Sequence, residues 1–336
     1  MIFAEVPLDQ AGGAILAHSV MEGTGRLRKG VVLGAEELAQ LAMAGVSRVM
    51  VARLEPGDVD EDRAATRLAQ ALVPDPAKVA LTLTRAFTGR VNLNAVGPGV
   101  VTLDVAAIHA MNGVDPSITL ATLAPYTRVD AGTLVGTVKI ISYAVSDADL
   151  TRACDLARGA IRVNPVVLPD ASLILTVVPG LPDKLAIKGR EAVEARLRAL
   201  GMRLADCATV PHDEAAIARA LVGATGAMVL ILTGSATSDL HDTAPQALRR
   251  AGGQVARFGM PVDPGNLLFH GHLGPRPVIG LPGCARSPAL NGADWVLERL
   301  ACGLALTDAD IAAMGVGGLL KEIPTRPQPR EMRKQT

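Results

Sequence analysis

MVLILT (228–233) followed by GSATSDLHDTAP (234–245) decides the reading of this chain. Six apolar or hydroxyl residues with no charge form a strand covered by helices on both faces. A helix then runs through Leu248, with Pro245 in its first turn, where a missing N–H costs nothing. A second such run, LILTVV (173–178), lies upstream. Between the two, Arg190 to Leu200 carries Val193, Leu197 and Leu200 on one stripe, and Gly201 stands where a helix ends. Asp213 caps a helix through Ile217 and Leu221. Downstream, Val255–Phe258, Leu267–Phe269 and PVIGLPG (277–283) read as strands, and a last helix stripes through Leu290, Ala293, Leu297 and Leu300. The order β-α-β-α-β-α-β-β-α predicts an α/β domain over 165–305, a three-layer, mostly parallel sheet with flanking helices.

Residues 1–76 read as a mixed α/β segment, with helices at Glu36–Ala44 and Asp62–Leu72 and a strand at Val46–Val51. Residues 77–164 form a β-rich module: VALTL, GVVTLDV, SITLATL and LVGTVKIISYAV are rich in β-branched residues and separated by turn residues. A helix from Asp147 to Arg158 closes it, and Asn164-Pro165 with Pro169-Asp170 reads as a linker. Residues 306–336 predict a short helix and a Pro-rich, charged tail or partner-binding arm.

Composition narrows the function. The 33 basic and 33 acidic residues cancel, so no net positive field attracts nucleic acid or an acidic membrane. No apolar run reaches the ~18 residues of a span, and MIFAEVPLDQ lacks the pattern of a signal peptide. Four scattered cysteines, Cys154, Cys207, Cys284 and Cys302, form no CxxC pair and point to a reducing compartment, the cytoplasm.

The chemistry is expected where strands end and helices begin, since ligands of doubly wound sheets bind there. The first junction concentrates Thr233, Gly234, Ser235, Thr237, Asp239 and Asp242. It suits an anion held by N–H and hydroxyl donors, with Asp239 or Asp242 holding Mg2+; the plainer reading is a polar loop with Asp242 or Thr243 as N-cap. The second junction, Gly280-Leu281-Pro282-Gly283-Cys284-Ala285-Arg286-Ser287-Pro288, reads as Ser287 capping a helix with Pro288 at its first position. Gly283 permits close approach of a ligand, and Arg286 adds a fixed positive charge. Cys284 is a packing residue or a reactive thiol touching the ligand. His270 and His272 share a strand face and read as a polar rim ahead of a metal pair. Lys184, Lys188 and Arg190 read as a solvated helix start ahead of a phosphate contact.

Taken together, the two junctions resemble the molybdopterin-binding domain of molybdopterin adenylyltransferases and molybdopterin molybdenumtransferases. Thr233, Gly234, Asp242 and Pro245 match the family's first loop, and Gly280 to Gly283 with Ser287 match its second, G-L-P-G-N-P-x-S. Pro264-Gly265-Asn266-Leu267-Leu268-Phe269 resembles the transferase segment P-G-K-P-L-x-F. ILAHSVMEGTGRLRKGVVL resembles the part of the transferases that precedes this domain, and TVKIISYAV (137–145) a shorter, transferase-like subfamily. The resemblance implies a molybdopterin ligand, Mg2+ near Asp242, a site using Arg286 and, for the molybdenumtransferase branch, molybdate as co-substrate with release of AMP. Ser235 and Thr237 replace loop glycines, Asn266 replaces a Lys that would attract molybdate, and Cys284 replaces Asn. Those departures open an alternative, a non-catalytic carrier serving a molybdoenzyme or a nucleotidyltransferase. Either protein is expected to be a homodimer. A nicotinamide-dependent enzyme is disfavoured, because LILTVV is followed by Pro179-Gly180-Leu181-Pro182 rather than GxGxxG.

Overall fold

The protein is described by a computed structural model covering residues 1–22, 25–180 and 182–320. The sequence-predicted Pro-rich tail lies outside these residues. Two compact units divide the chain, Met1–Pro165 and Val166–Thr336.

The first unit begins with a three-stranded antiparallel sheet of Ile2–Pro7, Arg48–Arg53 and Ile15–Leu16, with the helix Ala35–Met43. Its main core joins the helix Glu61–Leu72 to four-stranded and three-stranded sheets drawn from residues 81–165. The β-rich reading of this region missed one helix, Val105–Asn112. Asp104 caps it by accepting the N–H of Ala107 (2.9 Å). A strand at Arg90–Ala95, with no unbroken apolar run, was also missed.

The second unit has the expected class, a mostly parallel sheet between helices. Labels here run from the start of this unit: β1 (Asp170–Val177), α1 (Asp183–Ala199), β2 (Arg203–Pro211), α2 (Glu214–Gly223), β3 (Met228–Leu232), α3 (Thr243–Arg250), β4 (Gln254–Phe258), β5 (Phe269–Leu273), β6 (Arg276–Leu281), α4 (Gly292–Ala301) and α5 (Asp308–Ala313). The strand order is β2-β1-β3-β6-β5-β4. Pairs β2–β1, β1–β3 and β3–β6 are parallel, while β6–β5 and β5–β4 are antiparallel. Successive residues of the central strands serve opposite layers. Leu173, Leu175, Leu230, Leu232 and Ile279 pack with Val193 and Leu197 of α1 and with Val296 of α4. Ile174, Val229, Ile231 and Val278 pack with Ile217 and Leu221 of α2 and Leu248 of α3. Both faces are covered, so β1 and β3 carry no alternation.

Sequence-level boundaries change at several points, among them the strand expected at Leu267–Phe269, which runs from Phe269 to Leu273. α1 starts at Asp183 rather than near Arg190, and ends as expected, with Gly201 at φ 71° beyond the C-cap Leu200. The edge strand β2, which the sequence reading did not place, is only partly buried along its length. Ser287 does not cap the last helix: Gly283–Arg286 is a short 3-10 turn, and α4 begins at Gly292 with Asn291 as its N-cap. Asn291 Oδ1 accepts the N–H of Ala293 (3.0 Å), and Asp294 accepts the N–H of Asn291 (2.8 Å). This reciprocal pair is a stronger start than Ser287-Pro288. Leu290 therefore falls outside the helix and is 49% exposed.

Gly280 lies inside β6, where an added Cβ would sit 1.9 Å from the Phe269 ring. Its glycine identity follows from packing within the sheet. Gly280→Ala is expected to destabilise this unit by about 1–3 kcal/mol in urea unfolding, as overpacked cores do. Combining it with Phe269→Leu should restore part of the loss.

Candidate functional site

A doubly wound sheet opens a crevice where successive crossovers leave a strand pair in opposite directions. Here the chain goes from β1 outward to β2, then returns to β3 on the other side of β1. The crevice is therefore at the carboxyl ends of β1 and β3, and Thr233 and Gly234 leave β3 at that point. Thr233 and Thr237 are buried, while Ser235 and Asp239 are exposed. Gly234 is held close to β1: its N–H donates to Thr176 Oγ1 (2.7 Å), and a Cβ there would lie 2.6 Å from the Thr176 carbonyl oxygen. This glycine lets the loop leave the sheet tightly against the neighbouring strand.

Asp242 organises the loop. One carboxylate oxygen accepts the N–H of Thr243 (2.6 Å), as N-cap of α3, and the other accepts the N–H of Ser238 (2.8 Å). Asp239 accepts the N–H of His241 (2.7 Å), and Arg249 reaches back from α3 to the carbonyl of Leu240 (2.9 Å). Burial alone raises the Asp242 pKa, but the Ser238 and Thr243 bonds outweigh it and hold the carboxyl below its ordinary value. A depressed folded-state pKa gives stability that is present above the unfolded carboxyl pKa of about 3.9 and lost as pH falls through the folded value. Asp242→Ala is expected to cost about 0.5–2 kcal/mol at neutral pH, measured by urea unfolding. The difference from wild type should vanish once pH falls below the folded pKa.

The second loop meets the first through Arg286. Its guanidinium is half-buried and donates from Nη2 to the Thr233 carbonyl (2.5 Å) and from Nη1 to the Gly283 carbonyl (3.3 Å). No carboxylate pairs with it among the described residues, and burial pushes its pKa down. Gly189, in the interior of α1, gives it room: a Cβ there would be 2.6 Å from Leu232 and 3.6 Å from the Arg286 side chain. The sequence reading did not single out Gly189.

Two further residues were missed. Arg196 of α1 is almost fully buried and makes an ion pair with Asp294 of α4 (2.5 Å). It also donates to the carbonyls of Ala285 (2.8 Å), Ser287 (2.8 Å) and Ala289 (3.2 Å), so one guanidinium shapes the whole second loop. His212, just beyond β2, places Nδ1 at 2.8 Å from Thr176 Oγ1, the same hydroxyl that receives Gly234. Lone Arg and His residues give no sequence signal of this kind; only the topology collects them.

The remaining candidates form a second group. Asn291 donates to Cys284 Sγ (3.0 Å), and Pro264 accepts the N–H of Gly292 (2.8 Å). Gly265, at φ 145°, approaches Gly292 so closely that a Cβ would lie 2.9 Å from it. Pro264, Gly265 and Pro282 are buried, whereas Asn266, Cys284 and Ser287 are exposed. Asn291 and Gly292 together thus tie the 264–266 segment to the second loop, Gly292 through Pro264 and Asn291 through Cys284. His270 is buried and His272 exposed; burial lowers the His270 pKa. Among the described residues no three His, Cys, Asp or Glu side chains gather as a metal site.

Among known proteins, residues 5–53 match a domain of unknown function, and no curated protein matches the chain. The molybdopterin biosynthesis MoeA protein from Pyrococcus horikosii is 13% identical with a TM-score of 0.32, over 90% of this chain and 75% of that one. A molybdenum cofactor biosynthesis protein from Pyrococcus furiosus is 13% identical with a TM-score of 0.25. That match covers 93% of this chain but only 65% of the other, just under two thirds of its length. Likenesses this distant add nothing about individual residues. The stretch that holds both loops, Arg286 and Asp242 is matched directly: residues 181–301 match the family described as a probable molybdopterin binding domain.

Proposed function

We propose that this chain is a protein of molybdenum cofactor biosynthesis that binds molybdopterin, or its adenylylated form, in the crevice between the Thr233–Pro245 loop and the Gly283–Arg286 turn. The observation that carries this reading is Arg286. A half-buried guanidinium that, among the described residues, is bonded only to carbonyls keeps its charge at a desolvation cost, and an anionic ligand group would offset that cost. In this reading the pterin phosphate lies against Arg286, with the hydroxyls of Ser235 and Thr237 as further donors.

The residues fit a Mg2+ ion. Asp242 is ionised and each of its oxygens, though accepting one N–H, keeps a second lone pair; Asp239 is exposed beside it in sequence. Mg2+ commonly uses one or two carboxylates together with ligand phosphates. Bound there, it would neutralise phosphoanhydride charge. Arg286 would hold the phosphate and the cap of α3 would keep Asp242 oriented. Such a site suits insertion of molybdate into adenylylated molybdopterin with release of AMP.

A second reading, a non-catalytic carrier that hands the pterin to a molybdoenzyme or takes it from a nucleotidyltransferase, is favoured by Asn266. That side chain is exposed and uncharged where the transferases place Lys. Either protein acts as a cytoplasmic homodimer in this proposal.

Mass spectrometry of ligand released from freshly purified protein tests the binding claim; recovery of a pterin is expected, and its absence after expression in a pterin-producing host sinks it. Molybdate added to the protein loaded with adenylylated pterin then separates the two readings. Asn266→Lys is expected to raise AMP release about tenfold, which corresponds to about 1.4 kcal/mol from one added charge at the oxyanion. No release from wild type with a gain in the variant supports carriage, and robust wild-type release supports the transferase.

A further inference from the structure

We propose that His212 is a further ligand-contacting residue: its imidazole, fixed by Thr176 as the Nε2–H tautomer, donates a hydrogen bond to the anionic group held at Arg286. This rests on the reading that the crevice binds a phosphate-bearing ligand.

Thr176 is 2% exposed, so its hydroxyl needs partners within the protein. It accepts the N–H of Gly234 at 2.7 Å, and its remaining neighbour is His212 Nδ1 at 2.8 Å. If Nδ1 carried the proton, the Thr176 hydroxyl hydrogen would be buried with no acceptor among the described residues. With the hydroxyl donating to a bare Nδ1, every group is satisfied, and the neutral ring carries its proton on Nε2. The backbone directs the ring as well. The His212 N–H donates to Val177 at the end of β1 (2.9 Å), so the residue sits at the carboxyl edge of the strands that frame the crevice. His212 is only partly buried, and among the described residues no protein partner of Nε2 is seen beside the Nδ1 contact with Thr176. A neutral N–H donor beside a cationic guanidinium gives an oxyanion two donors of different kind and adds no second charge to desolvate.

Imidazole NMR of the full chain with nitrogen-15-labelled histidine tests this at pH about 8, above the ordinary imidazole pKa of about 6.5. A bare Nδ1 and a protonated Nε2 are expected for His212; the opposite tautomer overturns the proposal. Inorganic phosphate is then added. It is expected to move His212 Nε2 together with the amides of residues 283–286, and both responses should weaken in Arg286→Ala. His212→Asn keeps a group near Thr176 but loses the reach of Nε2, and is expected to weaken phosphate binding about tenfold at unchanged melting temperature. His212→Gln, whose amide nitrogen lies near the Nε2 position, should recover part of that loss. Phosphate shifts at residues 283–286 with His212 unmoved overturn this inference and leave the proposed function standing. Shifts at neither place overturn both.

Discussion

Arg196→Met is expected to lower the unfolding free energy of the C-terminal unit by about 3–5 kcal/mol, the cost of breaking a buried ion pair from one side. Arg196 and Asp294 are 10% and 11% exposed, so solvent cannot replace the lost partner. Among the described residues the Asp294 carboxylate keeps only the N–H of Asn291, and the carbonyls of Ala285, Ser287 and Ala289 lose their donor at once. Removing the orphaned charge should therefore recover part of the loss, and the double variant Arg196→Met/Asp294→Asn is expected to be more stable than Arg196→Met alone. Urea unfolding measures the stability, and amide hydrogen exchange over 283–290 measures the loop. A loss below 1 kcal/mol would show that the loop holds its shape without this side chain.

The same residue explains why the second loop was misread from sequence. Ser287-Pro288 satisfies the local rule for a helix start, yet Arg196, ninety residues upstream, draws the 285–289 carbonyls into an irregular loop and delays the helix to Gly292. A local signal for the true start was present in Asn291 and Asp294, three apart, the spacing of a reciprocal cap. The central strands were legible because burial on both faces leaves an unbroken apolar run. The edge strand β2 was not, because its residues are half-exposed and Asp206 within it is committed to Ser172 (2.7 Å) and Thr225. The helix Val105–Asn112 sat among β-branched residues, although Asp104 and Gly113 marked both of its ends. For the site, the motif residues around 233–245 and 280–287 were visible as loop chemistry. Gly189, Arg196 and His212 were not, since each acquires meaning only from a neighbour far away in sequence. Gly234 and Gly280 were legible as glycines but for another reason: one clears β1 and the other clears Phe269.

Arg286→Ala is expected to weaken binding of the pterin phosphate by about 1.5–3 kcal/mol, or about 10- to 150-fold in Kd, while leaving stability close to wild type. The two halves of that expectation have separate causes. The affinity loss follows from removing a charge-assisted donor in a partly desolvated crevice, where the interaction is least screened. Stability should change little because the guanidinium pairs with no carboxylate among the described residues and burial opposes its charge. Its two carbonyl bonds, to Thr233 and Gly283, are offset on removal by relief of that desolvation. Arg286→Lys distinguishes charge from shape: an ammonium keeps the charge but cannot bridge both carbonyls and still present a planar edge to phosphate, so only partial recovery is expected. Calorimetric titration of the pterin into wild type and both variants, with urea unfolding of each, gives the two quantities. If Arg286→Ala unfolds the domain instead, Arg286 is a clamp between the loops and the anion site must be sought elsewhere on the crevice. If it binds as tightly as wild type and remains as stable, the guanidinium is a bystander, and the main support for a phosphate at this edge of the sheet is gone.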